Sequence, residues 1–334
     1  MFQQPLLDAN EPASSTLQLP VAMSTGADAI DWLYYFIYWF SVVFTVGITA
    51  ATLYFVWKYR RRKGVSAAPT QENTALELSW TVPPVLLIVW MFHVSYSAYI
   101  RNAVAADHAL EIRVRGARWN WSYQYPDGTP ESGDALYLPV NKPVKMVMSS
   151  SDVLHDYFVP AFRLKKDVVP GMYSQIAFTP NRLGEAQVFC AEYCGAGAGP
   201  TAGGHFSMLS KIKIVTEAEY EEHLKKIKDI PAELKDKENG TALWGEQLYK
   251  GKGCTTCHSV DGSAATGPTF KGVWGRTETL TTGEQIKVDE NYVRESILRP
   301  QAKIVKTFEN GNMPPFVFTE KQVDAIIAYL KTTK

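Results

Sequence analysis

Four cysteines in 334 residues are too few to staple a disulfide scaffold. Net charge is absent too: 34 basic residues balance 34 acidic ones, so there is no basic excess with which to grip a nucleic-acid backbone. A mean hydropathy of -0.14 is too low for a polytopic membrane protein, and a hydrophobic share of 46% is too high for a disordered polar chain. No internal repeat of solenoid length is visible. Residues 1–30 lack a basic segment followed by an apolar run, so no cleavable signal is legible. Either the first apolar helix acts as an uncleaved signal, or a signal is already missing from this numbering.

The balanced charge is an average over unlike segments. All five positive charges of residues 1–100 fall between Lys58 and Lys63. Uncharged stretches flank that cluster, Trp32 to Trp57 (26 residues) and Leu78 to Ile100 (23 residues). As helices, both are long enough to cross a hydrocarbon core of about 30 Å. Trp32, Tyr34, Tyr35, Trp39 and Trp57 lie toward the ends of the first, where interfacial aromatics belong. The expectation is an external segment over 1–29 and a transmembrane hairpin over 30–104. Two buried helices of a soluble protein are the plainer alternative. The positive-inside rule puts the basic loop in the cytoplasm and both termini outside.

From Ala109 to about Thr216 the pattern changes to short alternating runs such as LEIRVRG, VKMVMSS and SKIKIV, bounded by Pro, Gly, Asn and Asp. These predict a small all-β domain over 105–217, an antiparallel sandwich or barrel. Residues 218–238 are charged, helix-prone and broken at Pro231, which reads as a linker with a short helix. An all-α domain is expected over 239–334. It ends in a helix after the capping candidate Thr319, with Val323, Ile326, Ile327 and Leu330 at helical spacing.

The cysteines form two close pairs. Cys254-Thr-Thr-Cys257-His258 is the C-x-x-C-H pattern of c-type haem attachment, with the thiols adding to the vinyl groups and the histidine reaching the iron. A zinc or thioredoxin-like C-x-x-C would need further ligands or a βαβ context, and neither is present. The other axial position calls for a thioether or imidazole, and Met313 is the only methionine in the last hundred residues. Cys190 and Cys194 lie four apart in the β domain, which also holds His155, His205 and Met208. Thiolate, imidazole and thioether together favour copper over magnesium or calcium. A disulfide between Cys190 and Cys194 is the alternative.

The C-terminal pattern, with Gly267-Pro268 after C-x-x-C-H and then a Met-Pro loop, resembles class I cytochromes c. That resemblance implies that the Pro268 carbonyl orients His258. Residues 30–216, carrying Asp152-Val-Leu-His155, Lys166-Asp-Val-Val-Pro-Gly171, C-x-E-x-C-G and H-x-x-M, resemble subunit II of haem-copper cytochrome c oxidases. The resemblance implies a cupredoxin-like fold and a dinuclear copper centre, CuA. Cys190 and Cys194 would bridge it. His155 and Met208 would end one copper, His205 and the Glu192 carbonyl the other. The Glu192 carboxylate would face a magnesium ion shared with subunit I. Electrons would enter at Trp119, with Trp121 beside it. By composition alone that aromatic segment reads as a packed strand. Glu77 matches the mouth of a proton path, or is simply an acid at a helix N-terminus. His93 would pack against subunit I, while His108 and His223 read as solvated surface residues.

One departure stands out, because the family places a histidine four positions after the second cysteine. Here Cys194 and His205 are separated by Gly-Ala-Gly-Ala-Gly-Pro-Thr-Ala-Gly-Gly. The site survives if this insertion, Gly195 to Gly204, bulges outward. The implied function is that of the subunit that takes electrons from an external donor, either cytochrome c or a quinol-oxidising complex. They would pass through haem c to CuA and on to subunit I, where oxygen is reduced with proton pumping. Subunit III and the lipid bilayer are further expected partners, and a bacterial inner membrane is the expected location. A CuA-bearing subunit of a nitric oxide reductase, or a membrane-anchored electron carrier without an oxidase, is the alternative.

Overall fold

A computed structural model describes residues 16–66, 69, 71–132, 135–196, 204–309, 313 and 316–334. Residues 26–104 form one compact unit, and residues 1–25 with 105–334 form another. In the first, α1 (Ala27–Lys58) and α2 (Thr74–Ala103) are both long and apolar enough to cross a membrane. Asn73 caps α2, its side chain accepting the Leu76 N–H at 3.1 Å. The helices meet through aromatic rings: Trp90 stands edge-on to Trp32 and Phe36, 5.9 and 5.1 Å away. Pro83 and Pro84 lie inside α2, as is tolerated where neighbouring groups satisfy the freed carbonyls.

The second unit opens with a β-sandwich. Its strands are β1 (Leu110–Ala117), β2 (Asn120–Gln124), β3 (Pro130–Ser132), β4 (Ala135–Pro139), β5 (Val144–Ser150), β6 (His155–Val159), β7 (Leu164–Val168), β8 (Ser174–Phe178), β9 (Gly184–Cys190) and β10 (Ser210–Val215). One sheet runs β3-β2-β1-β5-β8 and the other β4-β10-β9-β6-β7. Alternation in β5 and β10 puts Val144, Met146, Met148, Ile212 and Ile214 into the core between them. The sheets are mixed, not antiparallel throughout: β1 pairs with β5, and β4 with β10, in parallel. Side-chain alternation specifies which face is buried but not the direction of the neighbouring strand. The segment before α1 joins this domain. Met23 is buried in its core, and its N–H and C=O bond Ala161 and Asn181 at 2.9 and 3.1 Å.

The stretch read as a linker with a short helix carries one, and that helix is packed, not solvated. Helix α3 (Glu217–Lys228) starts with a capping box between Thr216 and Glu219. Its Tyr220, Leu224 and Ile227, spaced i, i+4, i+7, pack on the sandwich core. After Pro231, α4 (Ala232–Lys235) turns the chain, and Leu234 and Ile230 join the core of the C-terminal domain instead. That domain holds α5 (Gly240–Gly251), α6 (Glu290–Leu298) and α7 (Glu320–Leu330), plus a small hairpin of β11 (Thr277–Thr279) and β12 (Gln285–Lys287). Thr319 caps α7, and its predicted apolar face, Val323, Ile326, Ile327 and Leu330, is buried. Helices α5 and α7 cross closely at Gly245, where a Cβ would lie 1.9 Å from the Ala325 carbonyl oxygen.

Candidate metal and haem sites

Three adjacent strands bring the first cysteine pair and its neighbours to one end of the sandwich. His155 opens β6, Cys190 closes β9, and His205 and Met208 lead into β10. The register puts Cys190 opposite Tyr157, so His155 falls beside the cysteine loop. Cys190 Sγ lies 3.8 Å from His155 Nδ1 and 3.2 Å from the Glu192 carbonyl oxygen. Cys194 Sγ lies 3.6 Å from His205 Nδ1 and 3.9 Å from Met208 Sδ. The donor atoms of His155, Cys190 and Cys194 fall within 4.8 Å of one another. The two sulfurs are 3.8 Å apart and the thiols free, well beyond the roughly 2.05 Å of a disulfide. Two metal–sulfur bonds of about 2.3 Å can span that gap. Buried sulfur and imidazole donors of this kind suit copper.

The electrostatics favour a cation. Burial raises the Cys190 thiol, but the His155 contact and backbone groups outweigh it and bring it to about 7. Cys194 is pushed up to about 12, by burial and then by the charge on Cys190. The pair therefore releases one proton readily and the second only when a metal charge is there to offset it. Asp152 supports the site from behind. Its Oδ1 lies 2.8 Å from His155 Nε2, leaving Nδ1 facing the sulfur. Burial opposes a charged Asp152, yet His155 and the N–H groups of Arg118 and Val153 hold it at about 2.

The inserted segment does not displace His205. Ala196 and Gly204 form an antiparallel bridge, and the His205 N–H donates to the Gly195 carbonyl at 2.9 Å. The two ends are thus pinched together; residues 197–203 lie outside the described ones.

In the C-terminal domain Cys254 and Cys257 sit on a tight turn following α5, and the His258 N–H returns to the Cys254 carbonyl at 2.9 Å. His258 Nδ1 lies 2.8 Å from the Pro268 carbonyl oxygen, as the family pattern implies. Nδ1 then carries the proton and Nε2 is left free. Burial holds the ring below the usual histidine pKa, in the neutral form a metal needs. Gly267 permits this approach, since a Cβ there would meet His258 Cε1 at 2.7 Å. Cys254 and Cys257 both have thiol pKa values raised by burial, Cys254 to about 11. A cavity of about 370 Å³ opens beside these residues, and Met313 lines it from the opposite segment. Its walls are largely apolar, including Val288, Val293, Ile297, Ile326, Leu330 and Phe316, which fits a macrocycle held by two thiols and two axial ligands.

The same cavity is also lined from the sandwich, by Trp119, Asn120, Ser207 and Leu209. Trp119 thus lines the same cavity as Cys254, Cys257 and His258. A Cβ on Gly195, next to Cys194, would stand 3.8 Å from its ring. Trp121 is fully buried, edge-on to His155 and Tyr157 at 5.9 and 4.9 Å. Glu77 is exposed in the first turn of α2, and His93 is exposed midway along it. His223 is not a solvated surface residue. Its Nε2 lies 2.6 Å from buried Glu131, and its ring stacks on Tyr137 at 3.6 Å. Sequence reasoning had no signal for Glu131, because its burial depends on which elements fold over it.

Fold and sites define a protein with two membrane-length apolar helices, a cluster of soft donors on a cupredoxin-like sandwich and a C-x-x-C-H turn beside an apolar cavity in a helical domain. Family models agree in chain order. Cytochrome C oxidase subunit II, transmembrane domain, matches residues 12–97. Cytochrome C oxidase subunit II, periplasmic domain, matches residues 130–200. Cytochrome c matches residues 242–334. Cytochrome c oxidase subunit 2 of Alkalihalophilus pseudofirmus is 29% identical over 306 residues, 88% of this chain and 84% of that one. The subunit of the same name from Cereibacter sphaeroides is 27% identical over 256 residues, 65% of this chain and 82% of that one. The solved periplasmic domain of subunit II of cytochrome oxidase from Bradyrhizobium japonicum is 26% identical, covers 37% of this chain and 97% of that one, and has a TM-score of 0.34. The chain belongs to the cytochrome c oxidase subunit II family, with a cytochrome c domain fused at its C-terminal side. It is accordingly one subunit of a haem-copper oxidase, an oxidoreductase complex with a haem and a copper requirement.

Proposed function

We propose that this chain takes electrons from an external donor at its haem domain, passes them across Trp119 to a dinuclear CuA site, and delivers them to subunit I. There oxygen is reduced to water with proton pumping. The observation that carries this reading is the shared cavity: Trp119 lines it together with Cys254, Cys257, His258 and Met313, and its ring stands 3.8 Å from where a Cβ on Gly195, next to Cys194, would lie. The haem iron and the copper pair, when bound, supply the one-electron chemistry. Cys254 and Cys257 would hold the haem covalently, and His258 and Met313 would ligate it, with Pro268 fixing the His258 ring. Cys190, Cys194, His155, His205, Met208 and the Glu192 carbonyl would hold the copper pair. The Glu192 carboxylate would reach a magnesium ion at the subunit I contact, and Glu77 would stand at the entrance of a proton path.

In this reading the domains run over 30–104, 105–217 and 239–334, the redox domains lie on the external side of a bacterial inner membrane, and subunit III is a further partner. Support for the two-pass topology comes from Met23 and Thr25, just before α1, which bond to the same sandwich that follows α2. The donor is a small carrier such as cytochrome c, or a quinol-oxidising complex.

The test combines metal analysis with kinetics on the purified oxidase. Two copper atoms and one haem c per chain are expected, with the EPR signal of a mixed-valence copper pair. After rapid reduction of haem c, electrons should appear at copper, and Trp119→Leu should slow that step with both centres still loaded. A mononuclear copper signal, or transfer at full speed in the variant, would sink the proposal.

A further inference from the structure

Glu131 lies on β3, an edge strand, yet its side chain is only 4% exposed. What covers it comes from two other parts of the chain. Its Oε2 lies 2.6 Å from Nε2 of His223 on the linker helix α3, and its Oε1 lies 2.7 Å from Nζ of Lys252. Lys252 follows α5 directly and stands two residues before Cys254; it also lines the cavity shared with Trp119. One carboxylate thus joins the sandwich, the linker and the start of the haem-attachment turn. Around it, Lys228 of α3 pairs with Asp127 of the sandwich, Lys321 of α7 reaches Asp229 at 3.0 Å, and Gln322 Nε2 donates to the Ile227 carbonyl at 3.2 Å.

A buried ion pair of this kind adds little net stability, but removing one partner strands a desolvated charge, so the contact is costly to break once formed. Burial works against a charged Glu131, but His223 and Lys252 outweigh it and hold the carboxyl below its ordinary range. The tether alone would only raise the effective concentration of the haem domain near the sandwich. A contact that specifies orientation does more, because transfer between fixed groups is sensitive to displacements of an ångström.

We propose that Glu131, clasped by His223 and Lys252, is an interdomain latch that registers the haem domain on the sandwich, so that Trp119 forms one wall of the haem cavity. Glu131 and Lys252 are positioning residues for internal electron transfer. The idea rests on the reading that electrons cross at Trp119, and the two can fail separately.

The experiment uses the assembled oxidase with Lys252→Ala, Lys252→Arg and Glu131→Gln. In Lys252→Ala, hydrogen exchange at residues 119–120 and 207–209 should rise toward that of an uncovered surface. Haem-to-copper transfer should slow by roughly 10- to 100-fold, the upper figure being about what a 1 Å misplacement of reacting groups can cost. The haem spectrum, the copper EPR signal and both midpoint potentials should stay as in the parent, and Lys252→Arg should restore protection and rate together. Glu131→Gln, which keeps the side chain's shape, should act like Lys252→Ala. Unchanged protection and unchanged rate in Lys252→Ala would overturn the latch. Lost protection with an unchanged rate would retain the contact and overturn its role in transfer. A normal rate in Trp119→Leu with a slow Lys252→Ala would instead overturn the Trp119 route alone.

Discussion

Asp152 and Arg118 are joined by a 2.8 Å hydrogen bond from the Arg118 backbone N–H to Oδ2, while the other carboxylate oxygen lies 2.8 Å from His155 Nε2. One side chain therefore fixes both the His155 imidazole and the backbone just before Trp119. The two are tied without passing through the sulfurs.

Removing that carboxylate should loosen both. Asp152→Ala is expected to leave the sandwich folded, because the side chain is partly exposed at 30% and contributes nothing to the core. It frees the His155 ring to rotate, and losses of this kind cost about 10- to 100-fold in metal affinity. Copper competition with a chelator of known strength measures it. Parental affinity would mean that the edge-on packing of Trp121 holds His155 by itself.

The crossing of α5 and α7 gives a sharper stability test. A Cβ on Gly245 would stand 1.9 Å from the Ala325 carbonyl, a backbone atom that cannot swing aside. Gly245→Ala should force the helices apart and cost about 1–3 kcal/mol or more, read as a drop in the melting temperature of the haem domain. Gly251, at the end of the same helix, has nothing within 4 Å of its built Cβ. Gly251→Ala should stay within about 0.5 kcal/mol of the parent. Equal effects at both positions would mean that helix propensity, not the close crossing, decides.

Much of this molecule was legible in the sequence, and the reasons differ from part to part. The apolar helices and the α7 face follow from charge-free length and 3.6-residue periodicity, which are local. The candidate haem site was legible because Cys254, Cys257 and His258 lie within one turn. The candidate metal site needed more: its proposed donors span 155 to 208, and only strand order puts the start of β6 beside the end of β9. Parallel pairing of β1 with β5 left no trace in alternation. The docking of α3 was half visible. Tyr220, Leu224 and Ile227 mark an apolar stripe, but its charged flanks read as a solvated linker, and Glu131 looked like any surface acid.

Acid should undo the docking before it unfolds the sandwich. Burial works against a charged Asp127, but Lys228 and Thr129 outweigh it and hold its pKa at about 2. Lys321 and Lys235 bring Asp229 to about 2, and Glu131 is lowered as well. A carboxylate with a depressed folded pKa stabilises its contact fully above its ordinary value, and that stabilisation is lost as pH falls through the folded value. The interdomain contacts should therefore hold above about pH 4 and weaken between about pH 4 and 2. Small-angle scattering of the external region would show the radius rise in that window. Expansion beginning near neutral pH would point to some other group.

The insertion after Cys194 offers the last test, and the geometry at its base decides the direction. Gly195, at a φ of 111°, turns the chain out of the cysteine loop in a conformation that suits glycine. Ala196 then bridges Gly204, and the His205 N–H closes back on Gly195. With these contacts in place His205 Nδ1 lies 3.6 Å from Cys194 Sγ. Replacing 197–203 by two glycines leaves a connection of hairpin length across an existing bridge. Shortening the loop lowers its closure cost by only about 1 kcal/mol. Copper content, the EPR signal and transfer to subunit I should all match the parent, whereas His205→Ala should lose the signal. If the shortened chain loses copper while His205 is intact, the segment takes part in the site, and the pinched base is not enough to place the ligand.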